Sequence, residues 1–247
     1  MSELAKLIEV SQSTVIFSGA GMSTESGLMD FRSADRGMWN NRNPIELADI
    51  EAIGTNRDEF IRFYKWRVQE MNNHQPNEGH HMLADWERRG LINGIITQNV
   101  ENYHDLAGTR RIAKLHGDLG TMRCMNCNEQ YSSQIYLPSH ETTSCSSCGG
   151  FIRPNVVLFG EMLSQTSLQF AAQLMREADL FIVLGSSLSV SPANQFPMQA
   201  KANGAKLVIV NYEPTATDRY ADLVIHESIG ATLREADAAL GGLSRLG

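Results

Sequence analysis

Short apolar runs that alternate with helical patterns restrict the fold of this sequence more than any other feature. Buried strands are predicted at residues 14–18, 91–97, 180–184 and 206–210, with a weaker fifth strand at 223–226. Helices are predicted at 164–179 and at 191–203, where Ser191 is the expected cap and Pro192 lies in the first turn. Strands that alternate with helices predict an α/β fold, here a doubly wound, Rossmann-like parallel sheet.

Glycines and small polar residues follow the predicted strands. Gly19-Ala20-Gly21 follows the first strand, Gln98-Asn99 the second, Gly185-Ser186-Ser187 the third and Asn211 the fourth. Ligands of open α/β sheets bind beyond the carboxyl ends of the strands, so we expect a cofactor crevice there. Two glycines permit a tight turn and close approach of backbone N–H groups to phosphate, and a helix from about Ser23 would add its positive end. Taken alone, the loop is equally consistent with a sharp turn.

The four cysteines form two pairs, Cys124-x-x-Cys127 and Cys145-x-x-Cys148, separated by 17 residues. Two such pairs predict a zinc site, because each turn directs two thiolates toward one cation. Four sulfur ligands fill a tetrahedral shell and leave no position for a reactive water, so the zinc is expected to be structural. Two disulfides, or cysteines scattered in a core, are the alternatives.

Two stretches interrupt the alternation of strands and helices. Residues 33–86 contain a helical segment at 58–71 and a second helix after Pro76, and residues 117–154 contain the cysteines. We interpret both as insertions that together form a smaller lobe, a helical insertion plus a zinc-binding module. Residues 1–32, 87–116 and 155–247 then form the Rossmann-like domain, and the cleft between the lobes faces the strand ends.

The charge balance argues against nucleic acid as a partner. The chain has 21 Lys and Arg against 28 Asp and Glu, a net charge of −7, with no basic run. The first ten residues place charged Glu3 and Lys6 among apolar residues, which fits neither a signal peptide nor a membrane span. We therefore expect no membrane association and a reducing cytoplasm, where thiols bind zinc more readily than they pair.

Six motifs, in order, resemble those of the sirtuins, the NAD-dependent protein deacylases. They are the loop 19–32, Thr97-Gln98-Asn99-Val100 with His104, Leu115-His116-Gly117, the four cysteines, the segment 153–161, and Gly185-Ser186-Ser187-Leu188 with Asn211-Tyr212-Glu213. The resemblance spans nearly the whole chain. It implies NAD and zinc as cofactors and acyl-lysine proteins or peptides as substrates.

The resemblance also implies a reaction mechanism. The acyl oxygen of a modified lysine attacks the ribose carbon that bears nicotinamide, and a base activates a ribose hydroxyl that takes the acyl group to ADP-ribose. A neutral imidazole suits that base. The motif assigns the role to His116, with Asn99 beside it, and only this match separates His116 from His104. Solvent exposure in polar or helical contexts is expected for the others, His74, His80, His81, His140 and His226.

The same resemblance assigns binding residues. NAD is expected to contact Gly19, Ala20, Gly21, Thr24, Asp30, Phe31, Arg32, Gln98, Asn99, Val100, Glu101, Gly185, Ser186, Ser187, Asn211, Tyr212, Glu213 and Ile229, and the peptide Val156, Val157, Phe159, Gly160 and Glu161. Phe31 would exclude water, whose attack on NAD competes with acyl transfer, or it is an ordinary core aromatic. The amides of Gln98 and Asn99 would hold ribose hydroxyls, or they are a polar strand end.

Tyr64 and Arg67 bear on the acyl group. The helix 58–71 has an apolar stripe of Phe60, Ile61, Tyr64, Val68 and Met71, and Arg67 lies three residues after Tyr64 at its edge. The pattern resembles the Tyr-x-x-Arg of class III sirtuins, which implies a guanidinium that binds the carboxylate of succinyl or malonyl groups. Alternatively, the Arg67 stem packs while its head reaches solvent or pairs with a carboxylate.

Four residues, at three places, depart from the family pattern. Leu28-Met29 replaces Ile-Pro, Glu101 replaces an aspartate, and Tyr103 replaces a leucine. The added methylene of Glu101 would shift its carboxylate by about 1 Å or more, which can matter to chemistry. Two other functions stay open: an ADP-ribosyltransferase or NAD glycohydrolase, and a non-catalytic adaptor that binds NAD and zinc.

Overall fold

The computed structural model describes residues 2–33, 35, 37–139 and 142–241. In these ranges the strands are β1 (Thr14–Ser18), β2 (Gly94–Thr97), β3 (Ile112–Lys114), β4 (Gly117–Cys124), β5 (Gln130–Ser132), β6 (Ile152–Val156), β7 (Leu180–Leu184), β8 (Lys206–Val210) and β9 (Leu223–Ile225). The α-helices are α1 (Glu3–Val10), α2 (Pro44–Ala48), α3 (Ala52–Thr55), α4 (Arg57–Asn73), α5 (Glu78–Arg88), α6 (Tyr103–Ala107), α7 (Gln165–Glu177), α8 (Phe196–Ala202) and α9 (Ile229–Gly241). None of the helices described is both long and apolar enough to cross a membrane.

In the described part of the chain, six strands form one parallel sheet in the order β3-β2-β1-β7-β8-β9. Phe17 of β1 pairs with Ile96 of β2 on one side and with Val183 of β7 on the other. The prediction of a doubly wound parallel sheet is confirmed. The strand order reverses between β1 and β7, and a crevice forms at such a switch point because the turns that follow the two strands diverge.

The alternation of side chains along each strand divides the sheet residues between two apolar cores. Ile16 of β1 lies in the core covered by α1, α5 and α9. Its neighbours Val15 and Phe17 point to the other face and lie in the core covered by α7 and α8. Because helices cover both faces, these strands are apolar at nearly every position.

The cysteines belong to a separate antiparallel sheet with the order β5-β4-β6. Helix α4 packs on it: Phe60 and Val68 are buried in one core with Met122 and Ile152. The predicted division into lobes stays a prediction, with one departure. Helix α5 falls in the range assigned to the helical insertion, yet its buried residues Leu83 and Trp86 belong to the core of the parallel sheet.

Three predicted boundaries are wrong. Strand β2 starts at Gly94, and residues 91–93 lie outside it although Asn93 N already donates to Thr14 O of β1 at 2.7 Å. The α-helix expected from Ser191 starts at Phe196 after a 3₁₀ turn. The helix expected near Ser23 is a 3₁₀ helix, Ala20–Ser26, in which Thr24 Oγ1 donates to Gly21 O at 2.8 Å. Hydroxyl side chains that bond to the local backbone compete with the α-helical pattern.

Candidate active site

A cavity of about 970 Å³ opens at the carboxyl ends of the parallel strands. Its lining includes the predicted NAD-binding residues Ala20, Gly21, Thr24, Asp30, Phe31, Arg32, Gln98, Asn99, Val100, Gly185, Ser186, Ser187, Asn211, Tyr212, Glu213 and Ile229. It also includes His116, Tyr64, Arg67, Val156, Val157, Phe159, Gly160 and Glu161. Gly19 and Glu101 lie outside the lining. The fold thus brings residues from distant motifs into one space, and their roles toward a ligand stay predictions.

The glycines after β1 allow two strand-end turns to pack against each other. Gly19 N donates to Leu184 O at 3.0 Å, and Gly21 N donates to Gly185 O at 2.8 Å. A Cβ added to Gly19 or Gly21 would lie 2.7 Å from an atom of Gly185, so neither position accepts a side chain without movement. These two N–H groups are bonded to the protein, and the approach of the loop's backbone N–H groups to phosphate stays a prediction. The glycines serve the close approach of β1 and β7 at the switch point.

One hydrogen bond sets the tautomer of His116. Its Nδ1 lies 2.9 Å from the carbonyl oxygen of Gln98, which can only accept. The proton is therefore on Nδ1, and Nε2 keeps a free lone pair. His116 lines the cavity, so the ring presents a hydrogen-bond acceptor to whatever occupies it.

The surroundings of His116 keep its ring neutral near pH 7. Burial lowers its pKa, and the positive charge of Arg32 lowers it further. The hydrogen bond to Gln98 O raises it, but the net pKa lies below the ordinary value of 6.5. A neutral imidazole with a free Nε2 can accept a proton, as the predicted role of general base requires.

A chain of hydrogen bonds holds the two amides that follow β2. Ser186 Oγ donates to Gln98 Oε1 at 2.7 Å, which leaves the Gln98 amide nitrogen free to donate. Asn99 is buried and its Nδ2 donates to Ser23 Oγ at 3.3 Å, while Ser23 Oγ donates to Glu101 Oε1. Burial raises the pKa of Glu101, against the hydrogen bond from Ser23. Glu101 thus lies behind Ser23 and Asn99, and its carboxylate also interacts through its charge with Arg67 on the cavity wall.

Among the described residues, the other histidines do not line the cavity. His104 is buried and donates from Nε2 to Ser18 Oγ at 2.9 Å, because Ser18 Oγ itself donates to Thr97 Oγ1. Burial lowers the pKa of His104 to about 4. The expectation that His80 is exposed is wrong: its ring is fully buried, 4.9 Å from the His104 ring, and burial lowers its pKa to about 2. His140 lies outside the described residues.

Tyr64 and Arg67 lie side by side on the wall of the cavity that α4 forms. The Arg67 guanidinium stacks over the Phe31 ring at 5.0 Å, and its Nη1 lies 3.8 Å from Met38 Sδ. Among the residues that the structure describes, no carboxylate lies within 4.0 Å of the Arg67 head. The alternative in which this head pairs with a carboxylate is therefore not what the structure shows. Burial raises the pKa of Tyr64, so its phenol stays protonated.

The four cysteine sulfurs lie within 4.8 Å of one another. Cys124 Sγ is 3.5 Å from Cys148 Sγ, and Cys127 Sγ is 3.6 Å from Cys145 Sγ. Tetrahedral zinc with Zn–S bonds of about 2.3 Å places its sulfur ligands about 3.8 Å apart, whereas a disulfide needs about 2 Å. The cysteines are free and fit the predicted zinc ion, and neither alternative matches the geometry.

Three comparisons with known proteins identify the family. The Sir2 family model matches residues 19–192. The chain is 51% identical over 234 residues to NAD-dependent protein deacetylase 1 of Geobacillus kaustophilus, covering 94% of this chain and 96% of the relative. It belongs to the Sir2 family.

Solved structures of sirtuins share the fold of the whole chain. A Sir2 homologue mutant in complex with ADP ribose has a TM-score of 0.94 at 35% identity, covering 100% of this chain and 99% of that one. Sir2 with a p53 peptide and NAD+ has a TM-score of 0.87 at 36% identity, covering 98% of each chain. The predicted family is confirmed, and the predictions of an enzyme and of NAD as its cofactor agree with these relatives.

Sequence reasoning missed an aromatic wall of this sirtuin. Trp39 and Phe63 line the cavity: the Phe31 and Trp39 rings stack with centroids 5.5 Å apart, and Trp39 and Phe63 lie 5.8 Å apart. The predicted stripe of α4 omits Phe63, which is buried, and contains Ile61, which is only half-buried. The run of aromatic residues from Phe60 to Trp66 was a usable signal for Phe63. Nothing in the local sequence indicated Trp39, which lies in a short 3₁₀ helix, Met38–Asn41.

Proposed function

We propose that this sirtuin is an NAD-dependent protein-lysine deacylase that prefers acidic acyl groups, such as succinyl and malonyl, and also accepts acetyl. The relatives named deacetylases and the Sir2 complexes with NAD+ and peptide support the deacylase. The observation that carries the acyl preference is the Arg67 guanidinium, which faces the cavity beside Tyr64 with no carboxylate of the described residues within 4.0 Å. A cytoplasmic location and the absence of nucleic-acid partners stay predictions.

Each group of the site has a task in this reaction. NAD supplies an electrophilic ribose carbon and nicotinamide as its leaving group. The free Nε2 of His116 takes a proton from a ribose hydroxyl, and the Gln98 carbonyl stabilises the imidazolium that results because it keeps the Nδ1 proton bonded. Phe31 and Trp39 cover the reacting centre with apolar surface, which excludes the water that would hydrolyse NAD. Residues 155–158 supply the edge along which an extended peptide adds as a strand.

The energetics favour an anionic acyl group. Arg67 is half-buried and burial lowers its pKa, yet a guanidinium stays charged at neutral pH. A carboxylate that binds it would gain charge-assisted hydrogen bonds worth about 1.5–3 kcal/mol, which corresponds to a factor of about 10 to 100 in kcat/KM. An acetyl group has no oxygen to offer this fork beyond the one that reacts.

The test compares peptides that differ only in the acyl group on lysine. We expect a higher kcat/KM for succinyl and malonyl peptides than for the acetyl peptide. Arg67→Met should lower the value for acidic peptides by about 10- to 100-fold and leave the acetyl rate within about threefold. Arg67→Lys should be intermediate, because the charge remains and the bidentate geometry does not. Arg62→Met is the matched control on α4, since Arg62 is exposed and forms an ion pair with Glu59 on the same helix.

Equal rates of the unmodified enzyme on succinyl and acetyl peptides would refute the acyl preference. The products separate deacylation from the alternatives. O-acyl-ADP-ribose forms only when an acyl-lysine takes part, whereas an ADP-ribosyltransferase or glycohydrolase consumes NAD without it. A non-catalytic adaptor would bind NAD and release no nicotinamide with any peptide.

A further inference from the structure

We propose that Arg153 is a positioning residue that holds the substrate loop, residues 156–161, in the shape that receives the acyl-lysine peptide. The inference rests on the proposed function, because it assigns a task within that same site. Arg153 is 1% exposed and does not line the cavity. All six residues of the substrate loop do line it.

The Arg153 guanidinium donates to both ends of the substrate loop. Its Nη1 and Nη2 donate to the two carboxylate oxygens of Glu161 at 2.7 and 2.9 Å, and Nη2 also donates to Val156 O at 2.6 Å. Glu161 Oε2 in turn accepts from Leu158 N at 2.8 Å. One buried side chain thereby fixes the beginning, the middle and the end of a six-residue loop.

The remaining backbone bonds attach the substrate loop to the rest of the site. Val157 N donates to His116 O at 2.9 Å, so the loop is joined directly to the backbone of the predicted base. Phe159 N donates to Ala48 O, and Ile50 N donates to Phe159 O. These bonds fix Val157 and Phe159. The turn between Leu158 and Glu161, with Gly160 at a φ of +84°, is closed by a bond from Glu161 N to Leu158 O at 3.0 Å, and the Arg153–Glu161 pair holds its end in place.

The carboxylate of Glu161 serves the protein more than the substrate. Burial opposes its ionisation, but the hydrogen bonds from Arg153 and Leu158 N outweigh burial and lower its pKa, so it is charged at neutral pH. Both oxygens are bonded to the loop or to Arg153. Glu161 was predicted to contact the peptide, and we infer that it acts on the peptide through the shape of the loop.

The proposal predicts that loss of the Arg153–Glu161 pair weakens the use of the peptide without weakening the binding of NAD. The turns after β7 and β8 carry the predicted NAD-binding residues 185–187 and 211–213, and they are not among the hydrogen-bond partners of Arg153 in the described part of the chain. We expect Arg153→Met and Glu161→Gln to raise the KM for the acyl peptide by about tenfold or more, and the Kd for NAD to change by less than about twofold. Arg153→Lys should be intermediate, because one ammonium replaces a fork that bonds three oxygens.

Arg89→Met is the matched control for a general loss of stability. Arg89 is a half-buried arginine that pairs with Asp85 and Asp237 on the parallel-sheet side of the molecule. It should leave the peptide KM unchanged. Hydrogen exchange gives a second readout that needs no turnover: the amides of Val157 and Leu158 should exchange faster in the Arg153 and Glu161 variants, and the amides of β1 should not.

Two results would overturn the proposal. One is an unchanged peptide KM together with unchanged hydrogen exchange of the substrate loop in Arg153→Lys and Glu161→Gln. These two conservative variants serve as the test if Arg153→Met does not fold. The other is a peptide KM and an NAD Kd that rise together, as general destabilisation would produce. Failure of the proposed function would give a different result, because the unmodified protein would then turn over no acyl peptide. Hydrogen exchange of the substrate loop would still decide the role of Arg153, because it needs no turnover.

Discussion

The parallel sheet and the cysteine-bearing sheet gain their stability in different ways. Every residue of β1 and β7 is buried, and helices cover both faces of these strands. In the cysteine sheet, β5 is exposed or half-buried throughout, and Cys127 and Cys148 are exposed at its far end. Apolar burial on both faces stabilises the first sheet, whereas the second is buried against α4 and, from its four cysteines, is expected to depend on a metal ion as well. The contrast predicts that the two sheets can be separated by experiment.

Among the tests of this difference between the two sheets, removal of zinc should have the largest effect. Structural zinc is worth about 10 kcal/mol or more in small domains, so a strong chelator should unfold or loosen the cysteine sheet and abolish deacylation. The parallel sheet should survive, because its cores lie under α1, α5, α7, α8 and α9. Hydrogen exchange would show fast amides in β4 to β6 and protected amides in β1 and β7. Full activity in protein shown to be free of metal would exclude the structural role.

His116 lies at the junction of the two sheets, one residue before β4 and two residues after β3. His116→Asn should lower kcat/KM for deacylation by about 10²- to 10⁴-fold, the usual contribution of a general base, because asparagine cannot accept the proton. NAD affinity, measured by calorimetry, should change little. In the unmodified enzyme the activity should fall on acidification at a pH below 6.5, since burial lowers the pKa of His116. If His116→Asn kept more than a tenth of the activity, the assignment of His116 as the general base would be wrong.

The smallest expected effect concerns acid stability on the parallel-sheet side. His80 and His104 have folded-state pKa values of about 2 and about 4, below the unfolded value of 6.5. Between pH 6.5 and about 4 the unfolded chain therefore binds protons that the native rings do not, so stability is complete above pH 6.5 and falls as the pH decreases. Each ring should lower the free energy of unfolding by about 2 kcal/mol at pH 5 relative to pH 7.

Urea unfolding at pH 7 and pH 5 measures this difference. His104→Asn should remove about half of the pH dependence, and His81→Gln should leave it unchanged because His81 is exposed. Acidic groups with lowered pKa values, such as Glu161 and Asp179, titrate below this range. Because burial raises the pKa of Glu101 and this opposes the trend, the difference between variants decides: an equal pH dependence in His104→Asn and in the unmodified protein would show that the His104 ring is not held neutral.

Local periodicity and spacing were enough to predict much of the molecule. The buried strands β1, β7 and β8 have the predicted bounds, because continuous apolar runs between turn residues have few other solutions in a globular chain. The cysteine spacing predicted the cluster of four sulfurs, since a Cys-x-x-Cys turn already fixes two ligands. The ordered motifs predicted the family, which the comparisons confirm. These features depend on residues that are close together in the sequence.

The finer chemistry of the site depended on contacts between distant residues. Ser23 and Glu101, which are hydrogen bonded, are 78 residues apart, and Ser18 and His104 are 86 residues apart. The sequence placed His80 in an exposed helix, yet helix α5 turns that ring into the interior beside His104. No local pattern contains the identity of such a partner, because a hydrogen bond is decided by which elements pack together.

The sequence by itself determined the parallel sheet, the zinc ligands and the family, because apolar periodicity, ligand spacing and motif order are properties of short segments. Only the tertiary structure decided that His116 keeps a free Nε2, that Arg67 faces the cavity without a carboxylate of the described residues within reach, and that Arg153 grips the substrate loop. The physical reason is that tautomer, charge pairing and pKa depend on neighbours brought together by folding, and those neighbours come from different motifs.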